Sequence, residues 1–135
     1  LGRFAQSPLM YTVFLDPSMV ELLITRGANP NEVDDDKISP LSWATIANNV
    51  RMVQSLLARG AQVNHVDNFG MTPLLYAASI DFGDTSVLEK LIAAGADVSA
   101  KNKEGLTALD LAKSYRHQAM ANLLAGKTNA LTGVR

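Results

Sequence analysis

Apolar residues recur along this chain at helical spacing, in short segments separated by polar turns. The segment NVRMVQSLLARG places four apolar residues on one face of an amphipathic helix: Met52, Val53, Leu56 and Leu57. Polar segments such as QVNHVDNFGM interrupt this pattern, and Asp67 and Gly70 favour a turn there. The chain is therefore predicted to form short helices joined by polar turns.

Two sequence markers repeat in register. A Ser/Thr-Pro/Ala-Leu step begins each repeat, at intervals of 32, 33 and 35 residues: Ser7-Pro8-Leu9, Ser39-Pro40-Leu41, Thr72-Pro73-Leu74 and Thr107-Ala108-Leu109. A Gly-Ala pair keeps the same phase, at intervals of 33 and 35 residues: Gly27-Ala28, Gly60-Ala61 and Gly95-Ala96. Two markers in one register indicate an internal repeat, and a period of roughly 20–50 residues is typical of stacked arrays.

Each repeat is predicted to hold two helices. The Ser or Thr hydroxyl is a favoured N-cap, and Pro fits the first helical turn because its missing N–H costs nothing there. A first helix such as Pro40–Asn48 follows, and the second helix ends at a glycine such as Gly60, which adopts a left-handed conformation without steric cost. We expect the large residues four positions after each cap to fill the core between repeats: Tyr11, Trp43, Tyr76 and Leu111.

The period and the Thr-Pro-Leu step resemble the ankyrin repeat. The resemblance extends from about Ser7 to Ala125 and is carried by GMTPLLYAA, LLARGAQVN and LIAAGADVSAKNKEGLTALDLA. It implies an all-α solenoid of four stacked helix–turn–helix units with hairpin-like fingers, in which neighbouring units bury each other's apolar faces. The implied single domain spans residues 1–127, with repeats at about 1–33, 34–66, 67–101 and 102–126, and residues 128–135 form a C-terminal tail.

Several departures from the family pattern affect local geometry. Lys37 stands where the resemblance implies a glycine in the finger turn, and the first unit is one residue short near Asp16-Pro17-Ser18. The third unit has two extra residues in SIDFGDTS. The last unit replaces Pro by Ala108 and has a thin second helix, QAMANLLAG, which suits a terminal capping unit.

Composition and charge narrow the function classes. The 135 residues are 47% hydrophobic, too apolar for a disordered chain, and the formal net charge of −1 gives no electrostatic reason to expect nucleic acid as a partner. No cysteine is present, so there is no disulfide framework.

No apolar run reaches the roughly 18 residues that span a bilayer, so we expect no membrane insertion. The chain starts with Leu1 rather than Met, so we expect its natural N-terminus to be missing. We expect a soluble protein, with the cytoplasm favoured.

The sequence contains no catalytic or metal-binding constellation. His65 and His117 lie in different units, with no Cys or acidic partner at ligand spacing. The acidic run EVDDDK, with Glu32 and residues 34–36, lacks the turn glycine and later Glu of a calcium loop. We therefore expect no metal, no cofactor and no catalysis. The acidic run is interpreted as a solvated loop tip or, alternatively, as a contact for a basic partner.

The resemblance implies that partner-binding positions lie before each cap, on the fingers and at the ends of the first helices. The apolar candidates at these positions are Ile38, Phe69, Met71, Ile80, Phe82, Leu106 and Tyr115, and the acidic candidates are Asp35 and Asp36. An apolar strip rimmed by polar groups is typical of a partner site. For Phe82 two placements stay open, exposure on this strip or packing against Val87.

We therefore predict a non-catalytic, monomeric interaction module that binds another protein or peptide through its concave face and finger loops. The alternative is a structural spacer within a longer repeat array whose binding surface lies elsewhere. An enzyme or a small-molecule binder is the third and weakest interpretation, because the sequence offers no positioned acid, base or nucleophile.

Overall fold

The computed structural model describes residues 16–80 and 84–132, and within them the regular structure is entirely helical. Phe82 and the first repeat marker, at residues 7–9, lie outside the described residues. In chain order the helices are α1 (Pro17–Thr25), α2 (Pro40–Ile46), α3 (Val50–Ala58), α4 (Pro73–Ser79), α5 (Ser86–Ala93), α6 (Ala108–Ser114) and α7 (Gln118–Thr132).

Three helices begin at the repeated Ser/Thr residue, as the sequence predicts. The hydroxyls of Ser39, Thr72 and Thr107 accept the backbone N–H three residues later at 3.2, 3.3 and 3.2 Å. In α6, where Ala108 replaces Pro, Asp110 Oδ2 accepts the Thr107 N–H at 3.0 Å and completes a capping box. That backbone hydrogen bond holds the pKa of Asp110 below its usual range.

A left-handed glycine follows α1, α3 and α5. Gly27, Gly60 and Gly95 have φ of 100°, 93° and 97°. After α3 the Gly60 N–H reaches the Leu57 carbonyl at 3.3 Å and the Ala61 N–H reaches the Leu56 carbonyl at 3.0 Å, the Schellman pattern.

α2 and α6 end in the same way with other residues, whereas α4 is followed by Ile80 in an extended conformation. Asn48 and Arg116 take φ of 52° and 61° in the same role after α2 and α6. This left-handed residue ends α2 at Ile46, two residues before the predicted end.

The helices pack in two rows. α2, α4 and α6 contact one another in order along one row, and α1, α3 and α5 do so along the other. Within each pair α2 packs on α3, α4 on α5 and α6 on α7. The largest fully buried side chains come from both rows and fill the space between them: Val20, Leu41, Met52, Leu56, Leu74, Leu75, Leu88, Leu91 and Leu124.

Two asparagines join consecutive repeats beneath this core. Asn31 Oδ1 accepts the Gln62 N–H at 2.8 Å while its amide donates to the Gly60 carbonyl at 3.1 Å. One repeat later Asn64 makes the same pair of bonds to Asp97 N and Gly95 O, at 2.8 and 3.3 Å. These bonds satisfy backbone groups just beyond each helix end, so the asparagines fix the spacing between units.

The last helix differs from the predicted tail. α7 continues through Gly126 to Thr132, so the chain is helical over 128–132, where the sequence suggested a tail beginning. The equivalent of Asn31 and Asn64 is Ser99, whose hydroxyl bonds Asp97 in its own turn at 2.7 Å. The bridge between repeats is therefore not continued toward α7.

Core burial predicts the cost of truncating Leu74, which is 1% exposed at the junction of α2, α4 and α6. Leu74→Ala should lower the free energy of unfolding by about 2–5 kcal/mol, because it removes buried apolar surface and leaves a cavity. Urea denaturation measures the change. Leu22→Ala is the matched control, since Leu22 is 44% exposed on α1 and its loss should cost far less. Equal costs for the two variants would contradict this packing.

Candidate functional site

Three loops of one design precede α2, α4 and α6. We call them loop A (residues 32–38), loop B (65–71) and loop C (100–106). The third residue of each, Asp34, Asp67 or Asn102, uses Oδ1 to accept the backbone N–H groups two and four residues later, at 2.8–3.0 Å. Its own N–H bonds the carbonyl four residues later, at 2.9–3.2 Å. One side chain therefore fixes each loop as a closed turn.

The sixth residue of each loop is left-handed. Gly70 and Gly105 have φ of 74° and 80°, and Lys37 takes the same conformation at 63°. The departure noted at Lys37 therefore changes the residue but not the turn. Because a side chain crowds the backbone in this region, the lysine stores local strain that glycine would not.

The second carboxylate oxygen ties loops A and B to the following helices. Trp43 Nε1 donates to Asp34 Oδ2 at 2.9 Å, and the Tyr76 hydroxyl donates to Asp67 Oδ2. Both aspartates are consequently buried, at 4% and 6% exposure, so the interpretation of Asp34 as part of a solvated tip is wrong. Burial first, and then the Asp67 hydrogen bond, raises the pKa of Tyr76.

Loop C shows the complementary pairing. We call the third residue of each loop, which closes the turn, the brace. The brace of loop C is an amide, Asn102, and the residue nine positions later is Leu111, which cannot donate a hydrogen bond. Leu111 is buried, whereas Trp43 and Tyr76 at the equivalent positions are half-buried. The large residues four positions after the caps, which were expected to fill the core, therefore do so only in part. A carboxylate brace occurs with Trp or Tyr in loops A and B, and an amide brace occurs with Leu in loop C.

Direct bonds join the loops edge to edge. The Asn68 N–H donates to the Asp36 carbonyl at 2.9 Å, and His65 Nε2 donates to the Lys37 carbonyl at 2.7 Å. On the other side Lys103 Nζ donates to the Asn68 carbonyl at 2.5 Å. The Lys103 stem crosses Gly70 so closely that a Cβ added there would lie 2.6 Å from Lys103 Cγ. Loop B is thus held from both sides.

The three candidates that precede caps do not form an exposed strip. Ile38 is 5% exposed, so its expected exposure is wrong. Both its N–H and its carbonyl bond the buried Asp34, which holds it at the base of loop A rather than at the tip. Met71 and Leu106 occupy the same position in loops B and C, where they are half-buried against the core. Ile80 is also half-buried.

Other candidates do reach the surface. Phe69 in loop B is 54% exposed, and Tyr115 at the end of α6 is 57% exposed. In loop A Asp35 is exposed and Asp36 is half-buried. Val66, which sequence reasoning missed, is 56% exposed three residues before Phe69. Its exposure could have been predicted from its position next to Asp67, because the neighbours of a residue that closes a tight turn lie on the outside of that turn.

The described residues contain a cavity at some distance from the loops, but no cluster of metal-binding side chains. A cavity of about 360 Å³ lies against α6 and α7, away from the loops, and no carboxylate or histidine lines it. No cluster of His, Cys, Asp or Glu within residues 16–80 and 84–132 could hold a metal ion. In the same part of the chain no helix is long and apolar enough to cross a membrane.

Helix pairs stacked in two rows, with a braced turn before each first helix, define a helical repeat solenoid. A family model described as ankyrin repeats (3 copies) matches residues 9–102, more than half of the chain. The chain therefore belongs to the ankyrin repeat family. Ankyrin repeats are generally protein–protein interaction modules, and the family is generally non-enzymatic. A comparison with curated proteins gave no match.

The pairing of the brace with the helix residue nine positions later predicts that a second substitution restores stability lost by a first one. Tyr76→Leu should be destabilising, because it leaves the buried Asp67 carboxylate without its side-chain donor, which costs about 1–3 kcal/mol. Adding Asp67→Asn should recover part of that loss, since the double variant copies the Asn102–Leu111 pair. Chemical denaturation of both single variants and the double variant measures the coupling. Asp35→Asn with Tyr76→Leu is the control and should give no rescue, since Asp35 is exposed. Purely additive costs at Asp67 would contradict the pairing.

The strained turn at Lys37 predicts a stabilising substitution. Lys37→Gly should raise the free energy of unfolding by up to about 1 kcal/mol, because relief of the left-handed strain outweighs the larger entropy of glycine in the unfolded chain. Thermal unfolding is the measurement. Lys37→Ala removes the same side chain but keeps the Cβ, so it should bring no gain. A glycine variant no more stable than the alanine variant would show that the backbone there is unstrained.

Proposed function

We propose that this chain binds another protein or peptide, without catalysis, through the edge formed by loops A and B and the adjoining concave face. Loops A, B and C correspond in this proposal to the fingers of the second, third and fourth of four stacked units. Family membership supports an interaction role in general. The arrangement of the loops supports this position for the binding edge.

One observation carries the proposal: Val66 and Phe69 are both more than half exposed on a loop that is hydrogen-bonded at its base and on both flanks. Large apolar side chains held outside the core contribute less to folding than core residues do. A rigid loop loses little conformational entropy when a partner docks, so more of the contact energy is available for affinity. Aromatic residues presented in this way are common binding anchors.

The remaining candidates form the periphery of this surface. Asp35 and Asp36 belong to loop A, beside loop B, and supply charge next to the apolar pair. Ile80 and Tyr115 mark the ends of α4 and α6, where Tyr115 stacks on His117 with ring centroids 5.9 Å apart. His117 in turn contacts the Ala78 carbonyl at 2.9 Å, so α6 and α4 are linked at this end. We assign these residues supporting contacts and give the anchoring role to Val66 and Phe69.

A double substitution tests the function. Val66→Ser with Phe69→Ser should leave the circular dichroism spectrum and melting temperature nearly unchanged, since neither side chain belongs to the core. Capture of proteins from an extract of the source organism, quantified by mass spectrometry, should lose its specific partner, because a central anchor contributes about 2 kcal/mol or more.

Met19→Ser with Leu22→Ser is the matched control. These residues are 42% and 44% exposed on α1, away from loops A and B, so the control should retain capture. Full capture by the loop variant would place the binding surface elsewhere on this chain and contradict the proposed edge. No specific capture by the unaltered chain would favour the spacer alternative, in which binding occurs elsewhere in a longer array. Unfolding of the loop variant would show that the pair is structural.

A further inference from the structure

We propose that loops A and B recognise an extended segment of the partner in which an arginine or lysine lies about three residues from an apolar residue. This inference rests on the proposed function and adds the chemistry and spacing of the segment. The apolar residue packs on Val66 and Phe69, and the basic residue faces the carboxylates of loop A.

The acidic half of the surface is concentrated in one loop. Residues 32–37 contain four carboxylates and one ammonium group in a chain whose formal net charge is only −1. Asp34 is buried and bound to the loop and to Trp43, so its role is internal. Glu32 and Asp35 are exposed, and they are the groups that a partner can reach.

The acidic and apolar halves are adjacent. The 2.9 Å bond from Asn68 N to Asp36 O places Asp35 and Phe69 each one residue from the same contact. The negative field also extends into loop B's own helix, since the charges of Asp67, Asp34 and Asp36 add to burial and hydrogen bonding in raising the pKa of Tyr76. When a partner residue packs on Phe69, the neighbouring residues of that partner lie beside the loop A carboxylates, and this electrostatic environment favours a cation there.

The charges on the two sides of loop B differ, so a bound segment has a preferred direction. On the opposite side of loop B, loop C carries Lys101, Lys103 and Glu104, so carboxylates dominate on one side only. Packed helices of neighbouring units lie about 8–10 Å apart. An extended chain rises about 3.3 Å per residue, so it crosses from loop B to loop A in roughly three residues. This gives the spacing of the proposed basic and apolar residues.

A random peptide library displayed on phage, selected against the immobilised chain, tests the inference. The chain should enrich peptides with Arg or Lys two to four residues from an aliphatic or aromatic residue. Glu32→Lys with Asp35→Lys should bind those peptides roughly tenfold more weakly and enrich acidic ones instead. Glu21→Lys with Glu89→Lys makes the same charge change at exposed positions of α1 and α5, away from loops A and B, and should keep the original preference. Circular dichroism verifies that each variant is folded.

The outcomes separate the two proposals. Binding that is lost in the Val66→Ser, Phe69→Ser variant but insensitive to the loop A charges would overturn this inference and leave the proposed function intact. Peptides enriched without a basic residue would do the same. Failure of the unaltered chain to enrich any peptide would count against both. Affinity of the enriched peptides that falls with added salt, together with the change of preference, supports the inference.

Discussion

A buried carboxylate that bonds the backbone of its own loop and a side chain of the next helix is the interaction on which the loop edge depends. Asp67 accepts the Phe69 and Met71 N–H groups and the Tyr76 hydroxyl, and Asp34 does the same work with Trp43 as the helix partner. A buried charge is tolerated only when such bonds replace its lost hydration. One residue therefore fixes both the loop and its attachment to the helix that follows.

Linear stacking carries this local order along the molecule. Each unit contacts only its neighbours, so the unit-to-unit bonds decide how rigid the edge is. Asn31 and Asn64 fix the spacing below the helices, while Asn68, His65 and Lys103 join the loops above them. The exposed residues of loop B consequently occupy defined positions without help from a partner. Such preorganisation is what a binding surface on turns requires, because free loops would lose entropy on docking.

The candidate surface could be predicted from the sequence in part. Exposure of Phe69 and Asp35 follows from their places in a polar turn. The predicted exposure of Ile38 was wrong because the residue before a cap bonds back to the buried Asp34. A hydrophobic pattern carries no information about this bond. Val66 was missed because an isolated valine in a polar segment carries no periodic signal. Family resemblance indicates which positions vary but not which of them a particular unit buries.

The sequence by itself determined the helices and the repeat. The Ser/Thr caps, the glycines after second helices and the apolar spacing are local signals, and local signals suffice for helix starts and ends. Only the tertiary structure decided which polar residues became internal. Asp34 and Asp35 are neighbours of one type, yet Asp34 is buried because its side chain meets Trp43 nine residues later, whereas Asp35 points to solvent. Burial of a polar group depends on partners brought together by folding, and a single residue's type does not reveal them.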